Sequence, residues 1–319
     1  MKLSLIIPVY NEEGNLLALY DAVECVMDGL QRPWEVVFVD DGSRDNSLSI
    51  LHDLVKRAPE HVCVVAFRRN FGQTAAIAAG IDHSDGDTII LLDADMQNDP
   101  ADIPMMLARL DEGYDVVSGW RKDRKDNALT RNLPSAIANW MISTVTGVHL
   151  HDYGCTLKAY RRDALEGFRL YGEMHRFIPV YASSVGARIT EVPVKHHARK
   201  FGKANYGLER TIKVILDLFT VKFLLSYSSK PIYLFGGAGM VLMAIGLADL
   251  LYLFIRRFWN VPASTSPLLP VGVMFSIIGF QSILMGLIAE LLVRTYHESQ
   301  HKPTYTVRAV IRGNKSDSD

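Results

Sequence analysis

The sequence predicts an α/β fold: a Rossmann-like, mostly parallel sheet, followed by an amphipathic juxtamembrane segment and a hairpin of two membrane-crossing helices. Three features of the chain carry this reading. Short, unbroken apolar runs such as Thr88 to Leu92 stop abruptly at acidic or glycine-containing turns, as strands covered on both faces do. Helical patterns separate those runs, and strands alternating with helices imply a parallel sheet whose loops line one edge. Two longer apolar runs, 231–255 and 267–293, follow towards the carboxyl terminus.

Leu3 to Val9 is a strand, followed by a polar turn and a helical pattern through Leu16, Leu17, Tyr20 and Val23. Trp34 to Val39 is the second strand, and it runs into Asp40-Asp41-Gly42-Ser43. A helix from Asn46 to Val55 comes next, with a cap in Ser43 or Asp45. The third strand, Val62 to Phe67, leads through Arg68-Arg69-Asn70-Phe71-Gly72-Gln73 to a small-residue helix from Thr74 to Gly80. The fourth, Thr88 to Leu92, delivers Asp93 and Asp95 at its carboxyl end, where ligands gather in open α/β sheets. Two carboxylates one residue apart offer the hard oxygen ligands that Mg²⁺ or Mn²⁺ prefers. The same residues also read as an acidic turn capping a helix that begins near Pro100. A strand from Asp115 to Gly119 then precedes Arg121, Arg124 and Arg131.

Four motifs in this order carry a resemblance. Ile6-Ile7-Pro8-Val9-Tyr10-Asn11-Glu12, Val39-Asp40-Asp41-Gly42-Ser43, Arg69-Asn70-Phe71-Gly72 and Asp93-Ala94-Asp95-Met96-Gln97 together resemble inverting family 2 glycosyltransferases of the GT-A fold. Further on, Asp152-Tyr153-Gly154-Cys155, His175-Arg176-Phe177-Ile178-Pro179 and the segment Arg199 to Tyr206 are similar to one subgroup, which loads a single sugar onto a polyprenyl phosphate. That subgroup includes dolichyl-phosphate mannose synthase and the bacterial undecaprenyl-phosphate glucosyl and aminoarabinose transferases. The resemblance implies a nucleotide-sugar donor, a UDP-sugar by the bacterial motifs, contacted by Pro8, Tyr10, Glu12, Asp40, Asp41, Asp93, Ala94 and Gln97. It implies a Mg²⁺ or Mn²⁺ cofactor with Asp95 as the leading ligand and Asp93 and Gln97 beside it. It also implies inversion at the anomeric carbon and a homo-oligomer, a tetramer in relatives. Asp152 stands where many family 2 enzymes carry a catalytic carboxylate, and is expected here to orient the sugar or the acceptor loop.

The acceptor's chemistry explains why no dedicated base is demanded. A phosphate monoester has a second pKa of about 6 and is already an anionic nucleophile at neutral pH. Such a site needs cations to hold two sets of phosphates together, a task that suits arginine forks. Candidates for acceptor-phosphate binding are Arg121, Arg124, Arg131, Arg199 and Lys203, each of which also reads as an ordinary solvated charge; the last three join Asp95 and Asp152 as the catalytic candidates.

The carboxyl-terminal part speaks of a membrane. Each apolar run reaches the roughly 20 residues that span a bilayer core. The connection 256–266 is short, so both ends of the hairpin share one compartment. Arg210, Lys213, Lys222 and Lys230 before it, with Arg294, Lys302, Arg308, Arg312 and Lys315 after it, outnumber Arg256 and Arg257, which places the catalytic part on the cytoplasmic side of the inner membrane. The expected division is 1–205 catalytic, 206–230 amphipathic, 231–255 and 267–293 membrane-spanning, and 294–319 a cytosolic tail. The amphipathic stretch, with Ile212, Ile215, Leu216, Phe219 and Phe223, suits the headgroup layer, though plain packing would use the same pattern. Asp249 in the first span is a functional suspect that could pair with Arg256 or a neighbouring subunit, and Glu290 could pair with Arg294.

Composition narrows the classes further. The formal net charge is −1, so no basic surplus points to nucleic acid. Cys25, Cys63 and Cys155 show no metal spacing and fit reduced thiols. Met1-Lys2 leads straight into a strand-length run, too short for a secretory signal. His196 and His197 are adjacent on an extended segment and face opposite ways, which suits a structural role. Two other classes remain: a processive membrane polysaccharide synthase, whose Gln-x-x-Arg-Trp acceptor motif is absent from the chain, and a non-catalytic scaffold that binds sugar nucleotides. The alternating run 304–310 reads as a strand that could be added to a neighbour's sheet.

Overall fold

The computed structural model describes residues 1–122, 133–165, 174–197, 232–257, 266–299 and 305–313. The chain forms two compact units, Met1–Val221 with Pro303–Asp319, and Lys222–Lys302. Of the expected site residues, Arg124, Arg131, Arg199 and Lys203 lie outside the described residues, as does the amphipathic stretch 206–230.

The first unit is built on one eight-stranded sheet. Its strands are β1 (Leu3–Val9), β2 (Trp34–Asp40), β3 (Val62–Phe67), β4 (Thr88–Leu91), β5 (Val116–Trp120), β6 (Lys158–Arg161), β7 (Ile189–Pro193) and β8 (Val307–Arg312), in the order β7-β5-β6-β4-β1-β2-β3-β8. The centre is parallel: β1 pairs with β2 and β4, and β2 with β3. β6 enters antiparallel between β4 and β5, and β7 is parallel to β5. Every residue of β2 and β3 is buried, as expected of apolar runs without alternation.

Helices α1 (Leu16–Gly29), α2 (Ser47–Arg57), α3 (Gln73–Asp82), α4 (Ile103–Asp111), α5 (Leu133–Thr146) and α6 (Ile178–Ser184) complete this unit among the described residues. α1 buries Leu16, Leu19, Tyr20, Val23 and Met27, whereas Leu17 is exposed, because the stripe follows the three-and-four spacing through Leu19. The small residues of α3 bring it close to the sheet, and Gly80 has no room for a side chain against Ile6. Neither expected residue is the N-cap of α2, which is Asn46; Asp45, one residue earlier, accepts the Ser47 amide with its Oδ1 at 3.0 Å. Ser43 accepts the Asn11 amide instead.

The carboxyl-terminal strand departs from expectation. β8 pairs antiparallel with β3 of its own chain, from Cys63↔Arg312 to Phe67↔Val307, so the sheet edge is filled from within. A run read as available to a neighbour is a built-in eighth strand here, and the stretch 294–319 is not simply a tail.

The second unit holds α7 (Ile232–Arg257) and α8 (Leu268–Ser299). Each contains 22 residues of mean hydropathy 2.1, Phe235–Arg256 and Leu268–Ala289, long and apolar enough to cross a membrane. Only 17% of each such stretch is buried, whereas a soluble core helix would be mostly covered. The two helices meet at small residues: a Cβ on Gly239 would lie 2.6 Å from the Gly279 carbonyl oxygen, and one on Gly246 2.7 Å from that of Gly272. Asp249 and Arg256 are not partners among the described residues. The Asp249 Oδ2 is buried without a hydrogen bond there, while the Arg256 guanidinium sits 5.9 Å from the Tyr252 ring. The Glu290 side chain lies outside the described residues.

Candidate active site

Register places the first two turns side by side. Val9 pairs with Asp40, so the loops after β1 and β2 leave the same edge together. They are laced by reciprocal bonds. The amides of Asn11, Glu12 and Glu13 donate to Ser43 Oγ (3.0 Å), Ser47 Oγ (2.9 Å) and Asp45 Oδ2 (3.1 Å). In return the amides of Arg44 and Asn46 donate to Asn11 Oδ1 (2.8 Å) and Glu13 Oε2 (2.9 Å). Asn11 sits at φ 56°, a left-handed conformation that asparagine tolerates. Pro8 is partly exposed at the end of β1, Tyr10 is exposed, and Glu12 Oε2 accepts from Asn15 Nδ2 at 2.6 Å.

The two aspartates of the second turn do different work. Asp40 is buried at the end of β2 and accepts the Ser43 amide. Asp41 is a clamp: its oxygens accept the amides of Phe71 (2.6 Å) and Gly72 (2.9 Å), tying the β3–α3 loop to the end of β2. The approach is close enough that a Cβ on Gly42, at φ 69°, would lie 2.6 Å from the Arg69 carbonyl carbon. Burial raises the pKa of both carboxyls, and the two amides work against that rise at Asp41.

Asp93 and Asp95 follow β4 directly. Asp93 Oδ1 accepts from Gln73 Nε2 at 2.7 Å, and the buried Asp95 accepts the Gln97 amide across Met96, which stands at φ 60°. Ala94 between them is buried. Burial first, and then the charge of Asp95, pushes the Asp93 pKa well above the usual carboxylate range. The capping task near Pro100 belongs to another residue: Asp99 accepts the Ala101 amide at 2.9 Å. The acidic pair is therefore not needed as a cap. The segment of Lys195 to His197 runs beside this turn, with His197 N donating to Gln97 O at 2.9 Å and His196 bridged to Asn98. His197 also meets Asp99 at 3.3 Å, so both histidines serve the loop's architecture.

Beyond β5, the Arg121 fork is engaged by Asp152, with Nε to Oδ2 at 2.7 Å and Nη2 to Oδ1 at 3.0 Å. Asp152 Oδ1 also accepts the Gly154 amide. Burial opposes the Arg121 charge, but the bonds and charge of Asp152 outweigh it and raise the guanidinium pKa. Three neighbours make contacts that the motifs did not assign. Lys158, buried in β6, donates to the carbonyls of Tyr153 (3.2 Å) and Cys155, and burial lowers its pKa to about 8. Gln73 holds Asp93, and His175 Nδ1 meets Thr74 Oγ1 at 2.8 Å. A charge inside the apolar stretch Leu157-Lys158-Ala159-Tyr160 was the available signal for Lys158.

Among the described residues no three His, Cys, Asp or Glu side chains gather around a metal position. The donor set nevertheless fits a hard cation. Asp93 and Asp95 are neighbouring carboxylates, the charge of Asp95 raises the cost of charging Asp93, and Mg²⁺ or Mn²⁺ takes one or two carboxylates and completes its shell with water and phosphate oxygens.

A mostly parallel sheet with acidic turns along its carboxyl edge is the GT-A architecture of nucleotide-sugar transferases. Solved structures agree in fold: glucosyl-3-phosphoglycerate synthase from Mycobacterium tuberculosis, in complex with Mn²⁺, UDP and phosphoglyceric acid, has a TM-score of 0.54 at 18% identity, covering 69% of this chain and 78% of that one. The family profile described as "Glycosyl transferase family 2" matches residues 4–168, and the chain belongs to that family. It is a glycosyltransferase. Its similarity to named relatives runs through nearly the whole length. Dodecaprenyl-phosphate galacturonate synthase of Rhizobium johnstonii is 43% identical over 314 residues, 97% of this chain and 93% of that protein. Undecaprenyl-phosphate 4-deoxy-4-formamido-L-arabinose transferase of Edwardsiella ictaluri is 36% identical over 318 residues, 99% of this chain and 96% of that protein.

Proposed function

We propose that this enzyme transfers one sugar from a UDP-sugar to a polyprenyl phosphate, undecaprenyl phosphate in the first instance, at the cytoplasmic face of the inner membrane and with inversion. The observation that carries this reading is the extent of the likeness: 97–99% of the chain, membrane hairpin included, aligns with transferases named for polyprenyl phosphates.

Pro8, Tyr10, Glu12, Asp40 and Asp41, with the loop that Asp41 clamps, hold the nucleoside. Asp93, Asp95 and Gln97 would hold Mg²⁺ or Mn²⁺, which when bound neutralises charge on the departing nucleoside diphosphate. Acceptor phosphate oxygen displaces that diphosphate at the anomeric carbon, so an α-linked donor gives a β-linked product. A carboxylate forked to a guanidinium is a weak base, and Asp152 accordingly serves position rather than proton transfer. Arg124, Arg131, Arg199 and Lys203 are the cations left to hold the two sets of phosphates. The working assembly is a homo-oligomer, a tetramer by resemblance.

The test is a product assay on purified protein in nanodiscs with undecaprenyl phosphate, Mg²⁺ or Mn²⁺, and a panel of UDP- and GDP-sugars. A single sugar mass added to the lipid phosphate, and lost in Asp95→Ala, is the expected result. A polymer, or a water-soluble product with no lipid product, would overturn the acceptor assignment.

A further inference from the structure

The loop that Asp41 clamps has a second support, and it comes from the far end of the chain. Tyr305, which follows the second membrane helix, is buried and stacks on Phe67 with ring centroids 5.2 Å apart. Phe67 meets Phe71 edge-on at 5.6 Å. Phe71 is the residue whose amide Asp41 binds at 2.6 Å. The arrangement is fixed at both ends: Tyr305 Oη donates to Asp82 Oδ2 at 2.7 Å, and the Arg68 amide donates to the Thr306 carbonyl at 3.3 Å, just ahead of β8. The register of β3 and β8 shifts between Ala66 and Phe67, which marks the place where the strand gives way to the loop.

We propose that Tyr305 is a positioning residue for the donor nucleotide: it sets Phe67 and Phe71, and through them the loop that Asp41 clamps, in the conformation that receives the nucleoside. This rests on the donor site proposed above. The physical ground is that aromatic pairs have preferred geometries, so a ring fixed by its hydroxyl on one side limits the rotamers of the next. Asp41 then meets an already ordered Phe71 amide, and the cost of ordering the loop is removed from nucleotide binding. The strand after the membrane hairpin is on this account part of the donor site's scaffold, not an appendage.

The test uses full-length protein in detergent, with UDP and Mg²⁺ measured by calorimetry and both substrates measured by steady-state kinetics. Tyr305→Ala should weaken UDP binding and raise the donor KM by about tenfold, the order expected from one aromatic pair, with kcat and the lipid-phosphate KM unchanged. Tyr305→Phe keeps the ring but loses the bond to Asp82, and should weaken UDP binding by less than the alanine variant does. Tyr305→Leu, which keeps apolar volume without the ring, should fall between the two and stands in if the alanine variant does not fold. Wild-type UDP affinity in both the alanine and leucine variants, or a fall in kcat at constant donor KM as from loss of folded enzyme, would overturn the proposal. A wild-type protein that binds neither UDP nor GDP would overturn the donor reading itself.

Discussion

Arg121 and Asp152 are joined at both prongs, 2.7 Å and 3.0 Å apart, with only 14% and 4% of the two side chains exposed. The residues stand at the end of β5 and in the turn before β6, so the pair ties two neighbouring strands at the edge that carries the acidic turns.

A covered pair of this kind is best tested by cycles. Removing one partner leaves a buried charge, so Arg121→Met or Asp152→Leu should each lower stability by about 3 to 5 kcal/mol, and the double variant should cost less than the sum. Chemical denaturation of the detergent-solubilised protein measures this. Asp152→Asn should weaken turnover through misplacement. If it instead abolishes turnover while donor and acceptor affinities stay intact, proton transfer by Asp152 returns to contention.

Asp41→Ala removes the acceptor of two loop amides. Such a loss should cost about 1 to 3 kcal/mol for buried donors left unpaired, and UDP affinity should fall with it. Gly42→Ala is expected to do at least as much harm, because its Cβ would lie 2.6 Å from the Arg69 backbone. Calorimetric titration with UDP distinguishes the two effects from simple loss of folded protein.

Protons and metal should compete at Asp93. Its raised pKa means that the metal-free protein takes up a proton there on acidification before an ordinary carboxylate would. A folded pKa above the unfolded value disfavours the folded state at neutral pH, and this cost is relieved as the pH falls through the raised value. Metal holds the deprotonated form. Apparent Mn²⁺ affinity should therefore drop from about pH 7.5 to about pH 5.5, and Asp93→Asn should flatten both that slope and the acid-side gain in metal-free melting temperature. Equal slopes in wild type and variant would refute the assignment.

Lys158→Met should leave the Tyr153 and Cys155 carbonyls without their donor and loosen the turn that presents Asp152. Turnover is expected to fall by about tenfold or more, with Lys158→Arg recovering part of it, since a misplacement of an ångström at a site can cost a hundredfold. Donor KM should rise as well, because Lys158 pairs with Leu91 directly before the Asp93 turn and its charge acts on Asp93.

The parallel half of the sheet was legible because its strands are unbroken apolar runs ending in polar turns. The acidic pair after β4 was legible as a pair, but whether it capped a helix depended on Asp99, whose role becomes visible only where Pro100 starts its turn. Lys158 escaped because a lone cation in a strand reads as an edge residue until both of its faces are known to be covered. Tyr305 escaped for a different reason. Its partners Phe67 and Asp82 are distant in sequence, and alternation alone signals a strand without naming the strand it joins.

The pairing of β8 with β3 also orders events during synthesis. The ribosome releases β3 long before β8, and both hydrophobic helices are made in the interval. Until then the sheet ends on β3, an apolar strand whose free edge is prone to adhere to other chains. β8 replaces that edge with one carrying the exposed Arg308 and Arg312, so a chain stalled within the hydrophobic helices would keep bare the apolar β3 edge that the finished polypeptide covers.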